Sequence, residues 1–331
     1  MKSGIQRNLV VRTGGAVTIP HALKRIFGPH APAIQSLVDA DPGLADFVSR
    51  QDRAGVHFLS LAVSFRMPDS PAGRRNFAEA LRSQPRARLL RLFLSGKPPA
   101  GLIRVLSRLG AAPMPAESYR LLLSLMQEPQ ARKVLTHEKK ISRRMLDGLN
   151  NLPPAIRMPR LARIAGRTED CERLSYALAA VRRLRQDLDD SAIRNSLKAV
   201  QEADDVFRWL EHMLSRCPFA APPWDGDGEL TLVRNRQQLR EAAKRFNNCL
   251  ASHHMTDAVL GRKFFYVWEG AEPCVAEICR DDLVGWRLGE VEGADNTAPD
   301  PDVRAAIAAR FAALGIADFG RSGNAVWDEF L

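Results

Sequence analysis

The sequence predicts an α+β protein: a mainly α-helical N-terminal body, an irregular solenoid or bundle, followed by a small α+β domain containing an antiparallel sheet. Three observations lead there. Apolar residues recur at helical spacing through most of the first two-thirds, punctuated every ~15–20 residues by Gly/Pro breaks. Three Pro and two Gly then fall within Cys217–Gly228, which no helix tolerates. Beyond that stretch the apolar residues alternate with a strand's period of two. The expected divisions are a basic helical body over 1–216, a Pro/Gly linker over 217–229 and an α+β domain over 230–331.

The elements follow in order. Val17–Ile19 reads as a short extended segment, and Pro20–Phe27 as a helix with Pro near its start. Ala33–Ser49 keeps helical spacing through Ile34, Leu37, Leu44 and Phe47 but breaks at Pro42-Gly43. The rest of residues 1–80 mixes short helical patterns with loops. From Phe77 the pattern is persistently helical. Leu89, Leu90, Leu92 and Phe93 precede a break at Gly96–Pro99; Leu102, Val105, Leu106 and Leu109 precede another at Gly110 and Pro113. Tyr119, Leu121, Leu122, Leu125 and Met126 come next, without any motif repeating at a fixed period. Leu174, Leu178, Val181 and Leu184 share one helical face, and Val206, Phe207, Leu210 and Leu214 another.

Past the linker, Leu230–Val233 is a short strand and Asn235 caps a helix running to Phe246. Phe264–Trp268 is aromatic and β-favouring; Cys274–Cys279 alternates; Asp281-Asp282 marks a hairpin turn and Trp286–Val291 the returning strand. Asp302–Leu314 closes with a helix.

Composition narrows the function classes. A chain of 331 residues with 45% hydrophobic residues buries a core, and its net charge of +10 points to an anionic partner, nucleic acid before a membrane surface. From Ala80 to Asp170 there are 18 Lys and Arg against 6 Asp and Glu, a balance of +12, so this segment carries the whole excess. Five scattered Cys are too few for a disulfide scaffold and fit a reducing cytoplasm. Arg7, Arg12 and Gly14-Gly15 interrupt any secretory h-region, and no window approaches the ~18 apolar residues of a membrane span. Neither GxxxxGK[ST] nor GxGxxG occurs; Gly14-Gly15 and Gly320-x-x-Gly323 are too short for phosphate loops, so nucleotide hydrolysis is not expected. The sequence names no cofactor.

The densest chemistry is Asn247-Asn248-Cys249-Leu250-Ala251-Ser252-His253-His254, a thiol and two imidazoles within six residues. Cys249 falls at the end of a helix, where the negative pole of the dipole opposes a thiolate. A nucleophile there needs His253 or His254 as its base, with Glu277 or Asn296 to orient the imidazole. The bland alternative is a Cys packed in the core with two exposed loop His. A zinc site from Cys249, His253, Cys274 and Cys279 is disfavoured, because Cys274 and Cys279 lie five apart on a strand and point to opposite faces. No metal is assigned. Glu277 and Arg287 sit at comparable distances from the Asp282–Val284 turn and are expected to form a cross-strand ion pair. With Glu290 and Asn296 they form a second polar cluster that could hold a divalent ion for phosphodiester cleavage, though no complete nuclease signature is present.

The basic segment supplies the candidate nucleic-acid residues. Lys139, Lys140, Arg143 and Arg144 cluster downstream of Arg132-Lys133. Arg157, Arg160, Arg163 and Arg167 follow, the last three at i, i+3, i+7 on one helical face. Such a stripe tracks a phosphate backbone; the alternative is a solvated face in an Arg-rich chain. Tyr119 is the one aromatic residue of 94–170, so duplex or structured RNA held by its phosphates fits better than base stacking.

One resemblance emerges from these residues. It rests on the helix ending Lys244-Arg245-Phe246-Asn247-Asn248-Cys249, the Gly261-x-x-Phe264 strand entry, the Pro273–Ile278 strand with Glu277, and Glu290-x-x-Gly293-x-x-Asn296. The region of about 230–300 resembles the PcfJ-like family, found in plasmid conjugation regions and phage-like genomes. Asn248 stands where the family has His, Glu290 where it has Gln, and His253 where an aromatic residue is usual. The resemblance implies a mobile-element or phage-related context. The expected function is therefore a nucleic-acid-associated protein, its body binding DNA or RNA and its C-terminal domain acting on nucleic acid or a partner. The alternatives are a Cys/His-dependent hydrolase or transferase using Cys249, and a noncatalytic assembly factor that holds a protein partner.

Overall fold

A helix buried on every side organises the N-terminal half. The protein was analysed as a computed structural model, which describes residues 20–94, 96–250, 254–283 and 285–318. Val17–Ile19, His253 and Gly320-x-x-Gly323 lie outside those residues. Helices α1 (His21–Phe27), α2 (Ala31–Ala40) and α3 (Leu44–Ser49) lead into α4 (Arg53–Arg66), in which every residue from Ala54 to Val63 is buried. Asp52 caps α4 by accepting the Gly55 N–H at 2.7 Å. Ser70 caps α5 (Pro71–Ser83) in the same way, with Pro71 at the position where a missing N–H costs nothing.

Burying α4 all round includes burying His57, which is 0% exposed. Its Nε2–H donates to the Gly110 carbonyl at 2.8 Å, so Nδ1 is left to accept from the Tyr119 hydroxyl at 2.7 Å. The Met114 N–H donates to the same hydroxyl at 3.4 Å, and His30 Nε2 lies 2.7 Å from the Met114 carbonyl. This network ties the irregular 110–114 segment to the central helix. Helices α6 (Arg86–Phe93), α7 (Leu102–Leu106), α8 (Ala116–Gln127) and α9 (Pro129–His137) surround it, followed by α10 (Arg143–Asn151) and α11 (Pro159–Ile164). The last two approach closely because neither contact point carries a side chain. A methyl group at Gly148 would overlap the Ala162 carbonyl, and one at Gly166 would overlap the Arg144 carbonyl.

The described residues gather into two compact units that divide between Cys171 and Glu172, not at the Pro/Gly stretch. Residues 217–229 pack inside the second unit: the Ala220 N–H donates to the Ala258 carbonyl at 3.0 Å, and Trp224 stacks on Tyr266 with centroids 5.3 Å apart. That unit begins with most of α12 (Thr168–Leu184), then α13 (Asp190–Ser196) and α14 (Asp205–Leu214). On α14, Val206, Trp209, Leu210, Met213 and Leu214 are buried, whereas Phe207 is exposed.

A five-stranded mixed sheet follows, in the order β1 (Leu230–Leu232), β2 (Lys263–Trp268), β3 (Cys274–Asp281), β4 (Gly285–Glu292) and β5 (Ala317–Asp318). The first four strands pair antiparallel, as expected; the two-residue β5 adds a parallel edge at Arg287 and Leu288. Helices α15 (Arg236–Phe246) and α16 (Met255–Leu260) precede β2, and α17 (Pro301–Ala312) precedes β5. Asn235 caps α15, accepting the Gln238 N–H at 2.9 Å. Strand alternation splits the core. Phe264, Tyr266, Cys274, Ala276 and Ile278 pack with Ile307 and Phe311 of α17. Phe265, Val267 and Val275 pack with Leu239, Ala243 and Phe246 of α15 and Ala258 of α16. Each fully buried Phe or Leu here contributes about 1.5–3 kcal/mol.

Candidate functional site

The basic residues of the first unit divide by their partners. Lys139 and Lys140 stand exposed in the turn between α9 and α10, and Arg160 is exposed on α11. Among the described residues, none of the three has a carboxylate within 4 Å. Arg88, Arg91, Lys97, Arg104, Arg120 and Lys133 are likewise exposed without a carboxylate within 4 Å among the described residues, whereas four of the remaining candidates are engaged. Arg143 lies 3.9 Å from both Glu117 and Asp147, and Arg163 is 3.0 Å from Glu138. Arg144 and Arg167 share Asp170, at 4.0 and 3.9 Å. The expected i, i+3, i+7 stripe is interrupted, because α11 ends at Ile164 and Arg167 falls in the following turn.

Arg157 departs further from expectation. It is 5% exposed, pairs with Glu128, and donates from Nε to the carbonyls of Leu149 (2.8 Å) and Leu152 (3.1 Å). It clamps the chain after α10 and offers nothing to a phosphate.

In the second unit, the sheet face under α15 and α16 carries charge as well as oil. Glu277, 9% exposed, pairs across the sheet with Phe265, and its two carboxylate oxygens each lie 3.1 Å from Lys263 Nζ. His254, at the start of α16, packs its ring 5.4 Å from Phe265 and sets Nδ1 4.0 Å from Glu277 and 3.9 Å from Asp257. That nitrogen is buried and makes no hydrogen bond. Burial pulls the Lys263 ammonium down, but the Glu277 charge and hydrogen bond, with Asp257 behind them, outweigh it and hold Lys263 above its ordinary range. Cys279 shares this face; burial, reinforced by Glu277, pushes its thiol up to about 11 against the pull of Arg287 and Lys263.

The expected Glu277–Arg287 ion pair does not form. The hairpin ladder closes on Asp281 opposite Gly285, so Cys279 stands opposite Arg287 and Glu277 lies two residues further along. The buried Arg287 turns instead to Asp281, with Nε 3.7 Å from its carboxylate. Glu290 is exposed on β4.

Cys249 is exposed, not packed in the core; the buried thiols are Cys217, Cys274 and Cys279. It follows Asn247, whose left-handed conformation (φ 45°) ends α15, and Asn248. The Asn247 side-chain amide donates to the Asp295 carboxylate, which ties this turn to the Ala294–Asn296 turn. Asp295 and Asn296 both take positive φ, 57° and 56°, and Asn296 is exposed. The fold thus brings His254 to Glu277, and the end of α15 to the Asn296 turn.

Sequence reasoning missed Lys263, Asp257 and Asp281. Lys263 could have been found by counting two residues back from Phe265 along its strand face. Asp257 carries a weaker signal, three residues after His254 on a helix. Cys274 and Cys279 occupy opposite sheet faces, and among the described residues no three His, Cys, Asp or Glu gather as metal ligands. At 3.9 and 4.0 Å the two carboxylates place negative charge beside the imidazole without hydrogen-bonding it, so they do not fix its orientation. Among the described residues, no helix is long and apolar enough to cross a membrane. Comparison with protein-family models, with curated proteins and with solved structures found no match.

Proposed function

We propose that this is a nucleic-acid-associated protein whose first unit binds the phosphate backbone of a duplex or of structured RNA. The observation that carries this reading is the exposed trio Lys139, Lys140 and Arg160, without carboxylate partners, inside the segment that holds the entire positive excess. Phe93 and Tyr119, the aromatic residues of that segment, are both buried, so contact there runs through phosphates and not through stacked bases. The PcfJ-like resemblance of about residues 230–300 favours a mobile-element or phage-related setting, with that C-terminal region acting on the nucleic acid or on a partner.

These three contacts by themselves contribute about −2.7 to the slope of log K against log salt, or about 40-fold weaker binding from 50 to 200 mM salt. Titration of a labelled duplex tests this. K139E/K140E/R160E should weaken binding across all sequences and flatten the slope. Absence of binding by the unaltered protein at 50 mM salt removes the reading.

A second reading, thiol chemistry at Cys249, is favoured by the His254–Glu277–Asp257 arrangement five residues downstream. It predicts fast, pH-dependent alkylation of Cys249 that His254→Ala and Glu277→Gln both slow. Ordinary thiol kinetics in the unaltered protein reject it.

A further inference from the structure

The first unit leaves no aromatic residue of its basic segment exposed, yet the second unit presents one on a cationic helix face. Tyr176 on α12 is 41% exposed, and Arg262 lies over its ring with the guanidinium carbon 4.4 Å from the centroid. Along the same helix, Ala179 and Arg183 are also exposed, at i+3 and i+7 from Tyr176, so the three share one face. Ala179 adds only a methyl group between the ring and the guanidinium. Seven residues of helix separate Tyr176 from Arg183 by about 10 Å along the axis.

Arg183 also opens onto a groove of about 460 Å³, lined further by Leu184, Gln186, Pro218, Phe219 and Val259. That volume lies within the range of about 300–1,000 Å³ typical of small-ligand sites. Its wall is apolar and aromatic at Phe219, with the Gln186 amide as a polar group at the rim.

At the Arg183 end of this face the carboxylates are engaged; the exposed Glu172 stands at the other end, at i−4 from Tyr176. Asp187, at the groove, is held by both Arg185 nitrogens at 2.7 and 2.8 Å. Arg182 is already paired with Asp190 at 2.7 Å. Asp257 lies between Arg262, at 3.8 Å, and His254, at 3.9 Å. Arg183 has no carboxylate within 4 Å among the described residues. Asp187, Asp190 and Asp257 are thus occupied, and Arg183, beside the Tyr176–Arg262 stack, is left for an anion.

We infer that this face is a single-stranded nucleic-acid site, in which an unpaired base stacks on the Tyr176–Arg262 platform and its phosphate meets Arg183. A planar base has a π-face for the ring and guanidinium, whatever its identity, and the phosphate supplies the missing anion. The adjacent groove by Phe219 receives the next base. The inference stands apart from duplex binding by the first unit, since it uses other residues and another form of nucleic acid.

The test uses the full chain in the K139E/K140E/R160E background, which lowers the contribution of the first unit's cations. A fluorescein-labelled decathymidylate is titrated by anisotropy at about 50 mM salt. Tyr176→Ala and Arg183→Glu should each weaken binding at least fivefold, in line with the loss of one stacked base, while Tyr176→Phe keeps it within twofold. A 5-bromouracil-substituted strand should photocrosslink within 172–186, 217–220 or 259–262. No binding by the background protein, unchanged affinity in Tyr176→Ala, or crosslinks confined to other segments overturns the inference.

Discussion

Replacing Tyr119 by Phe should destabilise the first unit by about 2–3 kcal/mol, although it removes one atom and leaves the ring in place. The hydroxyl is fully buried and serves two groups. It donates to His57 Nδ1 at 2.7 Å and accepts the Met114 N–H at 3.4 Å. Without it, a buried ring nitrogen and a buried amide both lose their partner, at about 1–3 kcal/mol each. The long Met114 contact belongs at the low end of that range. For a unit of this size, the loss corresponds to a fall in Tm of about 5–10 °C.

The pH dependence should follow the same network. Burial lowers the His57 pKa below 6.5 despite the Gly110 carbonyl, and the charges of Arg53 and His30 push it the same way. As pH falls through 6.5, the unfolded chain takes up this proton first, so the stability is intact above that pH and lost below it. Urea unfolding followed by circular dichroism from pH 5 to 8 measures both effects. A Tyr119→Phe variant within 0.5 kcal/mol of the parent would refute the network as a stabilising feature.

Three further outcomes follow from the packing and the charges. Gly148→Ala should cost more than about 2 kcal/mol by forcing α10 from the Ala162 carbonyl, whereas Gly110→Ala, which meets no atom within 4 Å, should change stability far less in the same urea titration. Glu138→Gln with Asp170→Asn frees Arg163, Arg144 and Arg167, so the salt slope of duplex binding should steepen by about 2.7; an unchanged slope places those arginines away from the phosphates. Burial pushes Cys274 and Cys279 up to about 11, so the unfolded state loses these protons first above pH 9. The second unit should lose about 2 kcal/mol per thiol between pH 9 and 11, and Cys274→Ala/Cys279→Ala should flatten that decline in urea midpoints.

Legibility in the sequence followed how locally each signal acts, since even strands buried on both faces carried one. The strands at Phe264–Trp268 and Cys274–Cys279, the Asn235 cap and the break at Pro42-Gly43 were all readable, because alternation, capping oxygens and missing N–H groups act locally. Helix α4 was not. Its polar residues His57, Ser60 and Ser64 fall at i, i+3, i+7, a pattern that reads as a solvent-facing stripe, yet His57 turns inward to Tyr119 and the Gly110 carbonyl. The Pro/Gly stretch 217–229 was readable as irregular chain but not as part of the second unit, since Trp224 finds Tyr266 only after the sheet has formed.

The candidate residues divide along the same line. Composition and local spacing alone determined that the chain is α+β, that its positive charge lies in 80–170, and that Lys139 and Lys140 belong to a tight basic cluster. Only tertiary structure decided that Arg157 is a buried clamp, that Arg163 is spoken for by Glu138, and that Glu277 faces Lys263 and His254 while Arg287 faces Asp281. The physical reason is that a side chain's charge is written in its own residue, whereas its partner depends on register and on which helices cross. A shift of two positions along a hairpin exchanges one ion pair for another without altering any local pattern.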